Sequence, residues 1–388
     1  MFWKLQENVI TDADLDFLVS FIRKTKRFTQ FTNVSDFEMA FAKWQGCRYS
    51  VYVNSGSSAN LLLINSAKEH FKWEDADEVI VPAVTWPTTV TPVLQSGLTP
   101  VFVDTNLTDL SLDYEKVRSS ITPKTRAIFV AHLLGFPSNI TKLKEIIADR
   151  NISILEDCCE SQGAQLNGTK VGNLGLAGTF SFYWGHHMTT VEGGMLCTDN
   201  EDMYKLFLLK RSHGLARELP QECHDKLRNE YKGIDFNFLF LTDGFNVRNT
   251  EFNAVLGLAQ LSRIDEFIER RNKNYTVFLN ICDKYKEHLV LLDVLGASSF
   301  VLPFLFRNRK LKLAFQELIR EAGIESRPII SGNLLRQPFL TQYYNSTDYP
   351  NADFIHDNGF YIGNNQFVDE SRLGVLFTVM DKFFRGLA

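Results

Sequence analysis

The sequence lacks the features that would direct it to a nucleic acid or a membrane. Its 41 Lys and Arg residues are outnumbered by 46 Asp and Glu residues, and the basic residues form no dense run. The basic surface of a nucleic-acid-binding domain is therefore missing. No window holds the ~18 uninterrupted apolar residues of a membrane span, and the first residues lack the basic and apolar regions of a secretory signal. We expect a cytoplasmic protein without a nucleic-acid or membrane partner.

Cysteine is scarce and irregularly placed. The six cysteines include no CxxC motif and no regular spacing, which suits a reducing compartment and excludes a disulfide framework. The neighbours Cys158 and Cys159 end an apolar strand, in which successive side chains point to opposite faces. They suit neither a mutual disulfide nor one shared metal ion, and we interpret them as packing residues.

Short apolar runs are frequent in the first half of the chain. They are separated by gaps, several of which are long enough for a helical crossover. This pattern predicts the α/β class, with a mainly parallel sheet covered on both faces. The runs are YSVYV, EVIVPA, TPVFVD, RAIFVAHL, ISILED, GTFSFY and GGMLCT.

Two helices are predicted before these strands, and a different texture follows them. Apolar residues at helical spacing predict a helix over Thr11–Ile22, and SDFEMAFAKWQG predicts another, with Ser35 and Glu38 as a capping box. From about Ile264, a long amphipathic segment leads to a strand, a helix, a second strand and a terminal helix. We therefore predict two domains, a large α/β domain over residues 1–263 and a smaller α+β domain over residues 264–388.

Polar residues that packing does not explain follow four of the predicted strands, where an open parallel sheet binds its ligands. In VYVNSGSSANLLL a strand runs into Gly56 and Ser57 and then a helix, whose free N–H groups and hydroxyls would suit a phosphate. A serine-rich helix cap without a ligand is the alternative.

The other three strand ends carry an indole, two carboxylates and two histidines. Trp86 in VPAVTWPTTV would stack on a flat heterocycle or belong to the core. ISILEDCCESQGA ends a buried strand at Asp157, with Glu160 nearby, and such a carboxylate needs a partner: a protonated ring nitrogen, an arginine or a helix N-terminus. The fourth, GTFSFYWGHHMTTVEGG, carries Ser181 and a histidine pair that begins at His186.

Together and in this order, these motifs resemble those of the DegT/DnrJ/EryC1/StrS family of pyridoxal-phosphate-dependent sugar aminotransferases and dehydratases. The resemblance extends through GFNVRNTEFNAVLGLAQL and SRPIISGN and covers nearly the whole chain. It implies the fold of the type I aspartate aminotransferases and a bound pyridoxal 5′-phosphate or pyridoxamine 5′-phosphate. The cofactor-binding residues that it implies are Gly56, Ser57, Trp86, Asp157, Glu160, Ser181 and Asn246.

The resemblance also implies individual roles. The phosphate would lie at Gly56, Ser57 and Ser181, the indole of Trp86 would stack on the ring, and Asp157 would pair with the pyridine nitrogen.

Other matched positions concern the substrate and a second subunit. Asn246 in GFNVRN resembles the residue that reaches the phosphate from the neighbouring subunit, which implies a homodimer with shared active sites. His213 in RSHG and Arg327 in SRPIISGN match positions that imply substrate binding.

One position departs from the aminotransferase pattern. The aminotransferases of this family carry their Schiff-base lysine six residues before the glutamate of a GEGG-like turn, and counting back six from Glu192 reaches His186. A histidine pair here resembles the sugar 3-dehydratases of 3,6-dideoxyhexose synthesis. Imidazole forms no stable Schiff base, but with a pKa near ~6.5 it is suited to moving a proton. His186 would be the catalytic base whose action precedes loss of the C3 hydroxyl of a nucleotide-linked 4-keto-6-deoxy sugar.

The cysteines separate the two kinds of 3-dehydratase in this branch. One kind binds an iron–sulfur cluster, which needs four grouped thiolates, whereas Cys47, Cys197, Cys223 and Cys282 are far apart in sequence. The resemblance is therefore to the colitose-type branch, which has no cluster and regenerates pyridoxamine phosphate from L-glutamate. It implies a GDP-linked sugar as the substrate.

Three alternatives stay open. The protein would be an aminotransferase if Lys170 or Lys210 supplied the Schiff base. A metal enzyme would use His186 and His187, although adjacent residues rarely present both rings to one ion and no third ligand is near in sequence. A non-catalytic sugar-nucleotide-binding protein would keep the fold without needing Asp157. Sugar stereochemistry is expected to depend on the loop ELPQECHDKLRNEYKGIDFNFLFLTDG.

The replacement of lysine gives a first prediction. Borohydride reduction of the protein loaded with pyridoxal phosphate should leave no cofactor attached to the chain, because His186 offers no imine to reduce. Mass spectrometry of the intact chain measures this. A family aminotransferase treated in the same way is the positive control, and a cofactor–lysine adduct in this protein would contradict the assignment.

Overall fold

The computed structural model describes residues 2–343 and 348–387. Three sheets are formed by strands within these residues. The strands are β1 Tyr49–Val53, β2 Glu78–Pro82, β3 Thr99–Val103, β4 Thr125–Ala131, β5 Ser153–Asp157, β6 Gln165–Leu166, β7 Thr169–Lys170, β8 Ala177–Ser181, β9 Gly194–Thr198, β10 Val301–Leu305, β11 Ser326–Arg327 and β12 Gly359–Gly363.

Helices make up much of the rest of the described chain, and none of them is long and apolar enough to cross a membrane. The α-helices are α1 Asp12–Lys24, α2 Thr32–Gln45, α3 Gly56–Phe71, α4 Pro87–Gln95, α5 Tyr114–Ser120, α6 Ile140–Ile147, α7 Glu201–Arg211, α8 His224–Glu230, α9 Glu251–Leu261, α10 Ile264–Cys282, α11 Arg309–Glu321, α12 Pro350–Asn358 and α13 Glu370–Arg385.

The main sheet has seven strands in the order β1–β9–β8–β5–β4–β2–β3. Strands β8, β5, β4, β2 and β3 run parallel to one another, whereas β9 is antiparallel to both of its neighbours, β8 and β1. The carboxyl ends of β1, β2, β5 and β8 therefore lie at one edge of the sheet. This topology confirms the predicted α/β class with a mainly parallel sheet.

Both faces of the main sheet are covered, as its apolar strands predict. In β4, Ala127 and Phe129 belong to one buried cluster, whereas Ile128 and Val130 belong to another. Successive side chains of a strand point to opposite faces, so these two clusters lie on opposite sides of the sheet. Near-continuous apolar strands are what this double burial requires.

The C-terminal part forms a second, antiparallel sheet in the order β10–β12–β11. Its core is rich in phenylalanine, and the ring of Phe304 lies 5.0 Å from that of Phe360 and 5.3 Å from that of Phe315 between ring centroids. One buried cluster includes residues of both halves, and the rings of Phe136 and Tyr275 are 5.7 Å apart. The division of the chain at residue 263 stays a prediction.

Helix α2 begins earlier than predicted. Its N-cap is Phe31, so Ser35 lies inside the helix and forms no capping box. The carboxylate of Glu251 replaces the cap and accepts hydrogen bonds from the N–H groups of Phe31, Asn33 and Val34. A residue more than two hundred positions away thus supplies the cap that the local pattern assigned to Ser35.

Candidate active site

The first turn of α3 and the end of β8 form one side of the site. Ser55 caps α3 by accepting a hydrogen bond from the N–H of Ser58 at 3.1 Å. A Cβ atom built on Gly56 would lie 2.7 Å from the Cβ atom of Ser181 and 2.8 Å from Sγ of Cys159. Glycine is therefore required for this close approach. The helix N-terminus, the nearby hydroxyl of Ser181 and the positive end of the helix dipole together suit a phosphate.

Asp157 ends β5 and is held by three hydrogen bonds. Its Oδ2 accepts one from Nδ2 of Asn60 and one from Oγ1 of Thr89, each at 2.8 Å, and its Oδ1 accepts one from the N–H of Cys159 at 3.1 Å. The hydroxyl of Thr89 is itself 2.8 Å from that of Thr85. These donors fix the orientation of the carboxylate, as pairing with a protonated ring nitrogen needs.

Glu160 lies beside Asp157 but is expected to carry a proton at neutral pH. Its Oε2 accepts a hydrogen bond from the N–H of Leu134 at 2.8 Å. Burial, with a smaller contribution from the charge of Asp157, raises the pKa of Glu160 to about 8. Its protonated carboxyl group can therefore donate a hydrogen bond at pH 7.

His186 lies in a turn after β8, and its N–H donates to the carbonyl of Tyr183 at 3.1 Å. Its ring stacks on that of Phe300, with centroids 5.4 Å apart. The buried Nδ1 atom has no hydrogen-bond partner among the described residues. Burial, assisted by the positive charge of Arg271, lowers the pKa of His186 to about 3. The imidazole is therefore unprotonated near pH 7, the form in which a general base rests.

His187 differs from its neighbour in having fixed partners. It is fully buried, and its Nε2 lies 3.2 Å from the carbonyl oxygen of Ser298, to which it must donate. Its ring also contacts Phe300, with centroids 6.0 Å apart. The two rings therefore do not diverge as they would in a strand, because the segment is a turn. The hydrogen bond to Ser298 marks His187 as a packing residue.

Trp86 does not belong to the core. It is the N-cap residue of α4, and 56% of its surface is exposed. Its indole is thus available for stacking at the edge of the sheet where β2 ends. Tyr183, Trp184 and Val191, from the loop that follows β8, are also exposed.

The predicted substrate residues are at the surface. Arg327 lies in β11 opposite Tyr361 of β12 and pairs with Glu325 at 3.0 Å. Burial raises the pKa of the Tyr361 hydroxyl to about 12. The charge of Glu160 also raises this pKa, and that of Arg327 lowers it. His213 is exposed and has a left-handed backbone, with φ of 64°.

Asn246 is exposed as well. Its Oδ1 accepts a hydrogen bond from Nε of Arg248 at 3.2 Å. The segment that carries it passes the end of β1, because the N–H of Asn54 donates to the carbonyl of Val247 at 2.9 Å. The roles of Asn246, His213 and Arg327 stay predictions.

The two lysines of the aminotransferase alternative are held elsewhere. The ammonium group of Lys170 lies 3.7 Å from the centre of the Trp44 ring and donates to the Trp44 carbonyl. Lys210 is buried, with Nζ 2.6 Å from a Glu69 oxygen and 2.8 Å from an Asp243 oxygen. Neither amine is free for a carbonyl compound.

One group of potential metal ligands lies beside the site. Atoms of His132, Glu156 and Cys158 lie within 4.8 Å of one another. However, Nε2 of His132 is 3.0 Å from Oε2 of Glu156, and its Nδ1 accepts a hydrogen bond from the N–H of Ser138 at 3.0 Å. Since both ring nitrogens are engaged, the group is explained by hydrogen bonding within the fold.

Four residues that shape the site were not singled out in the sequence. Asn60 and Thr89 lie within the quoted motifs SGSSAN and TWPTTV, which are assigned to the same edge of the sheet as Asp157. Their position beside Asp157 could therefore have been predicted. Arg271 and Phe300 lie in α10 and immediately before β10, and no motif marks them.

Comparison with known proteins places this geometry in a family. The DegT/DnrJ/EryC1/StrS aminotransferase family matches residues 11–370. The chain belongs to this family, as its motifs predicted. A relative, GDP-4-keto-6-deoxy-D-mannose 3-dehydratase of Yersinia pseudotuberculosis, is 38% identical over 363 residues, which are 92% of this chain and 92% of the relative.

Solved structures share the whole fold. The Escherichia coli GDP-4-keto-6-deoxy-D-mannose-3-dehydratase with bound hydrated pyridoxal phosphate superposes with a TM-score of 0.90 at 34% identity, covering 97% of this chain and 98% of that one. A GDP-4-keto-6-deoxymannose-3-dehydratase with a trapped pyridoxal phosphate–glutamate geminal diamine gives 0.90 at 34% identity, covering 97% and 99%. These comparisons confirm the predicted aminotransferase-like fold.

The close approach at Gly56 gives a second prediction. Gly56→Ala should weaken pyridoxal phosphate binding about tenfold or more, because the new methyl group must displace Ser181 or the first turn of α3. Ultrafiltration gives the dissociation constant, and circular dichroism checks the fold. Gly374→Ala is the matched control, since no atom lies within 4 Å of its added Cβ. An unchanged dissociation constant for Gly56→Ala would remove the phosphate from this turn.

Proposed function

We propose that this protein is a pyridoxal-phosphate-dependent 3-dehydratase. It removes the C3 hydroxyl of GDP-4-keto-6-deoxy-D-mannose, and L-glutamate regenerates the pyridoxamine form of its cofactor, in the synthesis of a 3,6-dideoxyhexose such as colitose. The observation that carries the proposal is His186 at the position of the Schiff-base lysine, in the turn that follows Ser181 at the end of β8, while Lys170 and Lys210 are held elsewhere.

The residues at the sheet edge fit the cofactor. The first turn of α3, at Gly56 and Ser57, binds the phosphate with Ser181. Asp157 binds the ring nitrogen, and the exposed indole of Trp86 covers the ring. When bound, the cofactor supplies an electron sink, which the charge of Asp157 strengthens by keeping the nitrogen protonated.

His186 and Glu160 have different roles, the first as a proton acceptor and the second as a hydrogen-bond donor. The neutral imidazole of His186 takes a proton from the exocyclic carbon of the cofactor, a step that needs a base and not a covalent anchor. The carboxyl group of Glu160, which retains its proton below pH 8, donates a hydrogen bond toward the cofactor. Two adjacent carboxyl groups, Asp157 and Glu160, thereby serve as a negative charge and as a donor.

The substrate and the assembly complete the proposal. His213 and Arg327 bind the nucleotide-linked sugar, which is GDP-linked in the named substrate of the Yersinia relative. A homodimer with shared active sites places the partner's Asn246 at the phosphate. The exposed Trp86, Tyr183 and Trp184 beside the strand ends support a covering subunit, because such apolar surface favours association. The enzyme acts in the cytoplasm.

Direct assay of the purified protein tests this function. With pyridoxal phosphate and L-glutamate it should form 2-oxoglutarate and the absorbance of pyridoxamine phosphate, without any external reductase. Addition of GDP-4-keto-6-deoxy-D-mannose should then give a product that lacks the C3 hydroxyl, detected by mass spectrometry. An aminated sugar would identify an aminotransferase, and strict dependence on an iron–sulfur reductase would exclude the glutamate-using branch.

The two histidines give a third prediction. His186→Asn should retain pyridoxamine phosphate but lose about a hundredfold or more in turnover, because the general base is removed. His187→Asn is the matched control, and it should lower thermal stability more than turnover because its ring is bound to Ser298 inside the protein. Steady-state kinetics and thermal unfolding measure the two effects. Turnover that fails in His187→Asn but persists in His186→Asn would reverse the assignment.

A further inference from the structure

Arg271 of α10 is a buried cation without a buried anion. Its side chain is fully buried, and it forms no ion pair within the described residues. A buried charge is costly unless something compensates for it. This guanidinium lies against the turn that carries His186, but it takes no part in the cofactor and substrate binding proposed above.

Carbonyl oxygens of three separate segments surround the guanidinium. Nη1 donates to the carbonyl of Phe300 at 2.8 Å and to that of Asn364, and Nη2 reaches the carbonyl of His186 at 3.4 Å. Asn364 returns a hydrogen bond from Nδ2 to the carbonyl of Arg271 at 3.0 Å. The side chain thus connects the histidine turn, the approach to β10 and the segment after β12.

Two of these three segments determine where the imidazole lies. One carbonyl is that of His186 itself, and another is that of Phe300, whose ring stacks on the imidazole. The centroids of these two rings are 5.4 Å apart. Because one planar fork holds both backbones, a shift of either segment would strain its hydrogen bonds. Arg271 therefore fixes the base and its aromatic support relative to each other.

The charge of Arg271 acts on His186 as well. The groups that face the imidazole are Tyr183 of its own turn, the neutral His187, the ring of Phe300 and Arg271. Among the described residues, no carboxylate lies in hydrogen-bond contact with the imidazole to offset the cation. A second positive charge on the imidazole is therefore disfavoured beyond the effect of burial.

We propose that Arg271 is a positioning residue for His186: it clamps the histidine turn to its aromatic support, and its unneutralised charge keeps the resting imidazole unprotonated. This inference rests on the proposed function only in that His186 is the base. The clamp and the charge are separable, since lysine retains the charge but not the fork.

Two substitutions at Arg271 and one on the same helix test the proposal. Arg271→Met removes both clamp and charge, and Arg271→Lys removes only the clamp. Arg270→Met is the matched control, because Arg270 also donates only to a carbonyl, that of Val368 at 2.8 Å and 3.2 Å, and does not contact His186. Thermal unfolding and pyridoxal phosphate affinity establish that each variant is folded.

The first readout is the acid limb of the pH dependence of turnover. Arg271→Met should raise the apparent pKa of this limb by about one unit or more, since the imidazole then accepts a proton more easily. Arg271→Lys should leave the limb in place and reduce turnover about tenfold or more through misplacement of the base. Arg270→Met should change neither. Equal losses in both Arg271 variants with an unmoved limb would reduce Arg271 to a structural residue.

The second readout does not depend on activity. In cofactor-free protein carrying ¹³C-labelled histidine, the His186 signal, assigned by its loss in His186→Asn, should not titrate between pH 5 and 8, as the low pKa of His186 requires. In Arg271→Met the titration, followed in both proteins from pH 8 down to the lowest pH at which circular dichroism shows them folded, should move upward. An identical titration in wild type and Arg271→Met would overturn the electrostatic part of the proposal.

Full turnover in His186→Asn would instead refute the proposed function and leave this measurement valid. If Arg271→Met does not fold, Arg271→Lys still decides the clamp, which fails if its turnover is unchanged.

Discussion

The buried carboxylate of Glu156 determines where β8 enters the sheet. It accepts hydrogen bonds from the N–H groups of Gly172, Leu174 and Gly175, at 2.8, 2.8 and 2.6 Å, and it pairs with His132. The loop before β8 is thereby fastened to the end of β5. Because β8 ends at Ser181 and leads into the histidine turn, the placement of these residues depends on this side chain. Its neighbour in sequence, Asp157, points to the other face, toward Asn60 and Thr89.

A chain of hydrogen bonds connects the cofactor site to the C-terminal part of the protein. Ser331, in the motif RPIISGN, donates from Oγ to the carbonyl of Thr85 at 2.7 Å. The hydroxyl of Thr85 contacts that of Thr89, which donates to Asp157. Consecutive contacts therefore join the loop at Ser331 to the carboxylate of Asp157. Arg271 provides a second connection, from α10 to the turn at His186.

The sequence predicted the parts of the site that local patterns encode. Strand ends, the turn at Gly56 into a helix and the replacement of lysine at His186 could be read because each depends on residue type and on spacing within one motif. The cap of α2 by Glu251 and the clamp by Arg271 could not, because each joins segments that are distant in the chain. An arginine in an amphipathic helix is indistinguishable by composition from one at the surface, and only tertiary packing buries it. The exposure of Trp86 similarly depends on how α4 packs.

The distribution of the five tryptophans has a practical consequence. Trp3 and Trp73 are buried at 2% and 8% exposure and Trp44 is partly buried, whereas Trp86 and Trp184, at 56% and 36%, follow the ends of β2 and β8 at the sheet edge of the proposed cofactor site. An indole in water emits at longer wavelength than one in an apolar interior. Emission collected on the long-wavelength side of the indole band therefore favours Trp86 and Trp184 over the buried tryptophans. The protein carries an intrinsic fluorescent reporter, and stopped-flow emission can follow the arrival of each ligand without any added label.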